Sequence, residues 1–150
     1  MNKQIQRARL LMQNRRWDMA ISELSLALTE DHENPEAHGL LAYCFLQQEK
    51  YDQAEEEARA AIGNAPDNPL GFQTLAIVLL KRRNYRMAAE AVGRAIALDP
   101  FDAENFAIQG RIESQLENWS KVLQAAESGL QIDPEHSVCN NLRAMALVKL

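Results

Sequence analysis

Tyr51-Asp52-Gln53-Ala54 has a counterpart thirty-four residues earlier, Trp17-Asp18-Met19-Ala20, and another thirty-four later, Tyr85-Arg86-Met87-Ala88. One more step of the same length reaches Trp119-Ser120-Lys121-Val122. A fixed period of this size marks stacked supersecondary units, each too small to bury its apolar face alone. The expected organisation is one domain of four repeats over residues 1–34, 35–68, 69–102 and 103–136, with an extra helix over 137–150.

Each period holds two amphipathic helices. In the second, Pro35 stands at a favoured first-turn position. Leu41, Ala42, Phe45 and Leu46 then recur at three- and four-residue spacing until Gln48-Glu49-Lys50 breaks the pattern. A second helix starts near Asp52, passes through Ala54, Ala58, Ala61 and Ile62, and ends before Pro66, with Pro100 and Pro134 closing its later equivalents. The spacing predicts helices over 2–14, 18–31, 35–48, 52–64, 69–82, 86–98, 103–116, 120–132 and 136–149.

Reading down the period exposes the packing. Ala8, Ala42, Ala76, Gly110 and Ala144 form one column; Ala20, Ala54, Ala88 and Val122 form a second; Ala27, Ala61, Ala95 and Gly129 form a third. Small residues there let two helix backbones approach, and a larger side chain costs about 1–3 kcal/mol in overpacking. Beside them run bulky columns, Leu28, Ile62, Ile96 and Leu130, and Trp17, Tyr51, Tyr85 and Trp119.

This ladder resembles the tetratricopeptide repeat, a two-helix unit of thirty-four residues. The second and third periods carry the likeness best, through Leu41-Ala42, Phe45, Tyr51, Ala54, Ala61 and Pro66, then Leu75-Ala76, Tyr85, Ala88, Ala95 and Pro100. The resemblance implies an all-α, right-handed α-solenoid of four two-helix repeats plus the C-terminal extra helix. Arg7 and Gln109 depart from the family by replacing a leucine. Glu113 interrupts a column otherwise made of Leu11, Phe45, Leu79 and Leu147. An unpaired buried carboxylate is costly, so Glu113 is expected to meet Arg143, with Gln109 adding a hydrogen bond. The turn glycine common in the family is absent, which leaves Asn84 and Asn118 as the candidates for a left-handed conformation.

Composition narrows the function classes. The net charge of -5 conceals a basic start: Lys3, Arg7, Arg9, Arg15 and Arg16 occupy the first sixteen residues without an acid. That cluster reads as a solvated end helix rather than a site for RNA or membrane. No apolar run approaches the roughly eighteen residues that span a bilayer, and no signal core opens the chain. A cytoplasmic location without direct membrane insertion is expected, a larger parent's anchor aside. Cys44 and Cys139 sit in apolar helical patterns, outside any disulfide or zinc spacing.

No phosphate loop, nucleophile elbow or metal-ligand cluster stands in the sequence. The expected protein is noncatalytic, with no catalytic residue, no cofactor and no metal. Asp31-His32-Glu33 reads as a solvated loop, and Glu55-Glu56-Glu57 points its carboxylates in different directions along a helix. Lys81, Arg82, Arg83 and Arg86 form the sharpest basic cluster. Cations at the end of a first helix suit its dipole, and no aromatic interleaving accompanies them, so nucleic acid is not expected as a partner.

By the resemblance, first helices line a concave groove for a peptide or a partner's helix. The corresponding positions here are Ile5, Arg9, Met12, Leu40, Tyr43, Gln47, Gln73, Thr74, Ile77, Lys81, Ile108 and Arg111. Tyr43 and Ile77 are the expected central anchors, and Arg9 and Arg111 the expected contacts for carboxylates, since aromatic residues and arginine dominate interface energetics. Leu46 and Leu80 fit groove and core equally. The Lys/Asn and Lys/Arg clamp that relatives use on acidic chaperone tails is missing, because Ile5 and Arg9, then Leu40, then Leu70 and Thr74 stand in its places. The chain therefore reads as a protein-interaction scaffold for a partner with acidic and apolar residues. A dedicated secretion or assembly chaperone, or a docking module of a larger enzyme or membrane protein, are the rivals. The apolar helix over 137–150 adds an expectation of self-association and of a longer parent.

Overall fold

The computed structural model describes residues 2–150. Among them lie nine helices and no strand: α1 (Lys3–Gln13), α2 (Trp17–Glu30), α3 (Pro35–Gln47), α4 (Tyr51–Asn64), α5 (Pro69–Lys81), α6 (Tyr85–Leu98), α7 (Ala103–Gln115), α8 (Trp119–Ile132) and α9 (Ser137–Lys149). Each first helix packs most extensively on the second helix that follows it, and each second helix then packs on the next first helix. Odd-numbered helices also touch one another, α3 with α5, α5 with α7 and α7 with α9. That contact places them on the inner, tighter side of a solenoid.

The small columns produce this spacing. Ala8, Ala42 and Ala76 are fully buried, as are Ala20, Ala54, Ala88 and Val122. At Gly110 even a methyl group would stand 2.7 Å from Leu142 Cδ1, so the glycine sets how closely α9 approaches α7. Large side chains fill the remaining gaps: Ala88, Ala91 and Val92 of α6 share one cluster with Leu79 and Leu80 of α5 and Ile108 and Ile112 of α7. Leu46 and Leu80, which fitted groove or core, are core residues.

The first helices start on side-chain caps. Asn34, Asn68, Asp102 and His136 each accept a hydrogen bond from a backbone N–H of the following turn. Pro35 and Pro69 occupy the first helical position behind two of these caps, where a missing N–H costs nothing.

The turns within each repeat correct one expectation. The left-handed residues are Arg15, Glu49, Arg83 and Glu117, with φ of 58°, 60°, 63° and 58°; Arg83 and Glu117 stand one position before the two asparagines. In the turn after α5, Arg83 N–H donates to the Leu80 carbonyl at 3.1 Å and Asn84 N–H to the Leu79 carbonyl at 2.9 Å. This is the Schellman pattern, in which a left-handed residue follows the helix end. Asn84 keeps a negative φ and caps α6 by accepting from Met87 N–H, so it cannot also supply the turn.

Glu113 corrects a second expectation. It is half-buried, and its Oε2 accepts a 2.8 Å hydrogen bond from Asn118 Nδ2. Asn118 N–H meanwhile donates to the Glu113 carbonyl at 3.0 Å. The partner is therefore the local turn, whereas Arg143 is exposed. The carboxylate is close enough to reach the turn and does not need a cation from the next helix.

Glu49→Gly and Arg83→Gly should each stabilise the fold by about 1 kcal/mol, because a Cβ is disfavoured at positive φ, while Asn84→Gly should not. Thermal melts of the three variants check the assignment. Ala88→Leu should lose about 1–3 kcal/mol through overpacking, read as a lowered midpoint in denaturant.

Candidate functional site

A groove of about 490 Å³ opens on the inner face between the first three repeats. Arg9 and Met12 of α1 form one wall, and Glu36, Gly39, Leu40 and Tyr43 of α3 form the floor. Leu70, Gln73 and Thr74 of α5 close the other side, with Asn68, Gly71 and the end of α4 at the rim. The helices explain this assembly. Residues three and four apart on a first helix share one face, and the packing of α3 on α5 brings Tyr43 and Thr74 to one concavity.

Tyr43 is 41 % exposed, and its ring meets the edge of Trp17 at 5.9 Å between centroids with an interplanar angle of 63°. The contact holds the phenol in place while one side of the ring faces the groove. Leu70 is 60 % exposed and stands directly after Pro69. An additional Cβ at Gly39 would meet nothing within 4 Å, so the space above that glycine belongs to the groove. The polar lining consists of Arg9, Glu36, Asn68, Gln73 and Thr74.

The charges present neutralise each other. Arg9 Nε donates to Glu36 Oε1 at 3.1 Å, and Arg9 Nη2 donates to the same oxygen. This exposed pair contributes roughly 0–1 kcal/mol to stability, but it leaves the groove close to neutral. The carboxylate expected at Arg9 comes from within the chain.

Of the residues expected to line the groove, Arg9, Met12, Leu40, Tyr43, Gln73 and Thr74 converge there. Ile5 and Ile108 do not: they are 4 % and 0 % exposed and pack into the core. Ile77 is half-buried and leans on the core cluster around Leu46 and Val78. Gln47 and Lys81 are exposed on the last turns of α3 and α5, and Arg111 is half-buried on α7, all three outside the walls of the groove. Gly39, in the same column as Ile5 and Gln73, lies in the lining, whereas sequence reasoning missed Glu36 and Leu70 as lining residues. Leu70 offered a signal, since an apolar residue directly after a helix-opening proline has no partner within its own first turn.

Gln73 also ties two repeats together. Its Nε2 donates to Asp102 Oδ2 at 3.0 Å and to Asn105 Oδ1 at 2.8 Å, linking α5 to the start of α7. Arg82 bridges in the same way to Asp52 Oδ1 at 2.7 Å. That pair draws one cation of the Lys81–Arg86 cluster into the fold.

No set of three or more His, Cys, Asp or Glu side chains converges for a metal among the described residues. His38 is committed to the scaffold, with Nδ1 2.6 Å from Glu57 Oε2 and Nε2 2.8 Å from the His32 carbonyl. Burial pushes the Cys44 thiol up to about 11 from an ordinary 9.0. Burial, reinforced by Glu104 and Asp133, raises Cys139. No described helix is long and apolar enough to cross a membrane.

A stack of helix pairs with an open inner groove defines a helical repeat protein of the kind that supports protein–protein interaction. Residues 5–69 match the model of the tetratricopeptide repeat family, and the later units continue the same helix-pair geometry. Solved structures share the fold over nearly the whole chain. MamA superposes with a TM-score of 0.84 at 18 % identity, covering 95 % of this chain and 83 % of its own. YrrB, a TPR protein with an unusual peptide-binding site, gives 0.78 at 20 % identity over 97 % of this chain and 75 % of its own. TTC0263, a thermophilic TPR protein of Thermus thermophilus, gives 0.83 at 18 % identity, with 97 % and 80 % coverage. No curated protein matches the sequence.

The thiols give a direct check on this packing. Neutral buried thiols are poor nucleophiles, so Cys44 and Cys139 should resist a disulfide reagent in the native protein at pH 8 and react at once in denaturant. Because the folded pKa of Cys44 is raised, its contribution to stability is complete below about 9 and declines as pH climbs towards about 11.

Proposed function

We propose that the protein is a noncatalytic interaction scaffold that holds a peptide or a partner's helix in the groove between α1, α3 and α5. The observation that supports this reading most is the open space over Gly39, walled by Met12, Leu40, Tyr43 and Leu70. An apolar anchor side chain would enter there and remove these residues from water. At about 25 cal/mol per Å² of apolar surface, burying one Leu- or Phe-sized anchor contributes roughly 1.5–3 kcal/mol. Gln73, Thr74 and Asn68 offer hydrogen bonds at the edge of the same cavity, which would fix the direction of a peptide backbone. Since Arg9 is already paired with Glu36, the anchor is apolar and uncharged, and an acidic residue on the ligand would engage the pair only by displacing Glu36.

The glycine gives a clean test. Gly39→Phe fills the groove from a position with no neighbour to displace, and replacing a helical glycine tends to support the helix. Peptides selected from a random library on the wild-type protein should bind the Gly39→Phe and Tyr43→Ala variants at least tenfold more weakly, with melting temperatures close to wild type. Selected peptides that bind both variants with unchanged affinity would place the site elsewhere.

A further inference from the structure

A second cavity, of about 500 Å³, lies on the outer side of the stack, between the second helices α4 and α6 and over α5. Phe72 and Leu79 of α5 give it an apolar floor, and Met87 of α6 adds to this surface. Three charged side chains line it as well, Arg59 of α4 and Glu90 and Arg94 of α6.

The other repeats serve as an internal comparison. One period earlier, Ser25, His38 and Ala60 stand in the places of Arg59, Phe72 and Arg94; one period later, Gly93, Phe106 and Ser128 do. Those neighbouring helix pairs stack without either arginine, so the fold does not require them. In the earlier repeat His38 and Glu57, the counterparts of Phe72 and Ala91, bond to each other with Nδ1 2.6 Å from Oε2. Between α4 and α6 no such bond joins the two positions.

The charges around the cavity are left open in the same way. Glu55 and Arg59 are four residues apart on α4, and Arg59 Nε donates to Glu55 Oε2 at 3.1 Å. Its two Nη groups have no acceptor. Glu90 and Arg94 have the same spacing and the same favourable order on α6, yet they do not pair. Arg94 instead lies over the Phe72 ring, its Cζ 5.2 Å from the centroid. A cation drawn to a ring face is held in place and keeps its N–H donors for an acceptor. The cavity thus joins an apolar floor to two guanidiniums with unused donors.

We infer that this outer cavity binds an extended peptide segment of a partner protein, carrying a carboxylate side chain and an apolar side chain two residues apart. The spacing follows from the backbone, since residues i and i+2 of an extended chain point to one side. The carboxylate meets Arg59 and Arg94, and the apolar side chain covers Phe72, Leu79 and Met87. Glu90 accepts a backbone N–H of the same segment. Charge complementarity selects this occupant, because the lining holds two cations against one acid. The site is separate from the groove over Gly39 and stands whether or not that groove binds a peptide.

The probe is the peptide acetyl-Ser-Glu-Ser-Leu-Ser-amide, titrated into the ¹⁵N-labelled protein. It should shift amide resonances around Phe72 and Gly93 and leave those of α1 and α3 unchanged. Arg94→Gln and Arg59→Gln should each weaken binding at least fivefold, as should Gln for the glutamate or Ala for the leucine of the peptide. Gly93→Leu should abolish binding, because a Cβ there meets nothing within 4 Å and the side chain would occupy the cavity. Arg59, Gly93 and Arg94 are exposed, so melting temperatures should stay close to wild type, and Gly39→Phe should leave the affinity unchanged. Absence of these shifts at millimolar peptide, or equal affinity for the Arg94→Gln variant, would overturn the inference. So would acetate giving the same shifts at the same concentration, which would mark a simple anion site. An RNA oligonucleotide that shifts the same amides at lower concentration than the peptide would overturn it in favour of nucleic acid.

Discussion

The structure depends on how closely two helix backbones can approach, and that distance is set by alanine and glycine. Ala8, Ala42 and Ala76 on first helices and Ala20, Ala54 and Ala88 on second helices are all fully buried. Each removes a side chain where the helix axes converge, so the neighbouring Leu, Ile and aromatic side chains interlock from the flanks. Because the same small positions return every thirty-four residues, the crossing geometry returns with them. A constant rotation from unit to unit gives a solenoid. The inner face, where odd helices touch, is a consequence of that rotation.

A stack built this way has no single centre. The clusters around Leu24, around Leu79 and around Leu142 are separate along the axis, each drawn from consecutive helices. Local polar ties then set the registration of one unit on the next. Gln73 with Asp102 and Asn105, and Arg82 with Asp52, cross from repeat to repeat. Interactions of this size contribute modestly to stability, but they act between rigid helix pairs and so orient the walls of the groove. The groove can be apolar and open because the core does not run through it.

The inner groove and the exposed face of α9 arise differently. The inner groove exists because Gly39 omits a side chain in the middle of a concave face, and the residues around it come from three repeats. The α9 face exists because a first helix has apolar residues on the side that a second helix covers elsewhere. Leu147 and Val148 there are the same residue class as Leu79 and Leu80, which are buried. Their exposure reflects the neighbours available, since the apolar pattern is that of the inner first helices.

By itself the sequence determined the helix pairs, their order and the columns that pack. Those properties follow from side-chain size repeating at a fixed period, and size is written in the residue names. It also placed Arg9, Met12, Leu40, Tyr43, Gln73 and Thr74 on one face. Tertiary structure alone decided which of those positions stay open. Ile5 and Ile108 occupy groove columns yet are buried, because each packs into the core cluster formed with neighbouring helices, which spacing alone does not encode. Polar partners were likewise settled in three dimensions. Glu113 turned to Asn118 in its own turn, and Arg9 to Glu36 of the next repeat, since flexible charged side chains take the nearest available group. The left-handed turn residue fell to Arg15, Glu49, Arg83 and Glu117 because hydrogen-bond closure at the end of each first helix fixes the position. Residue preference yields to that geometry.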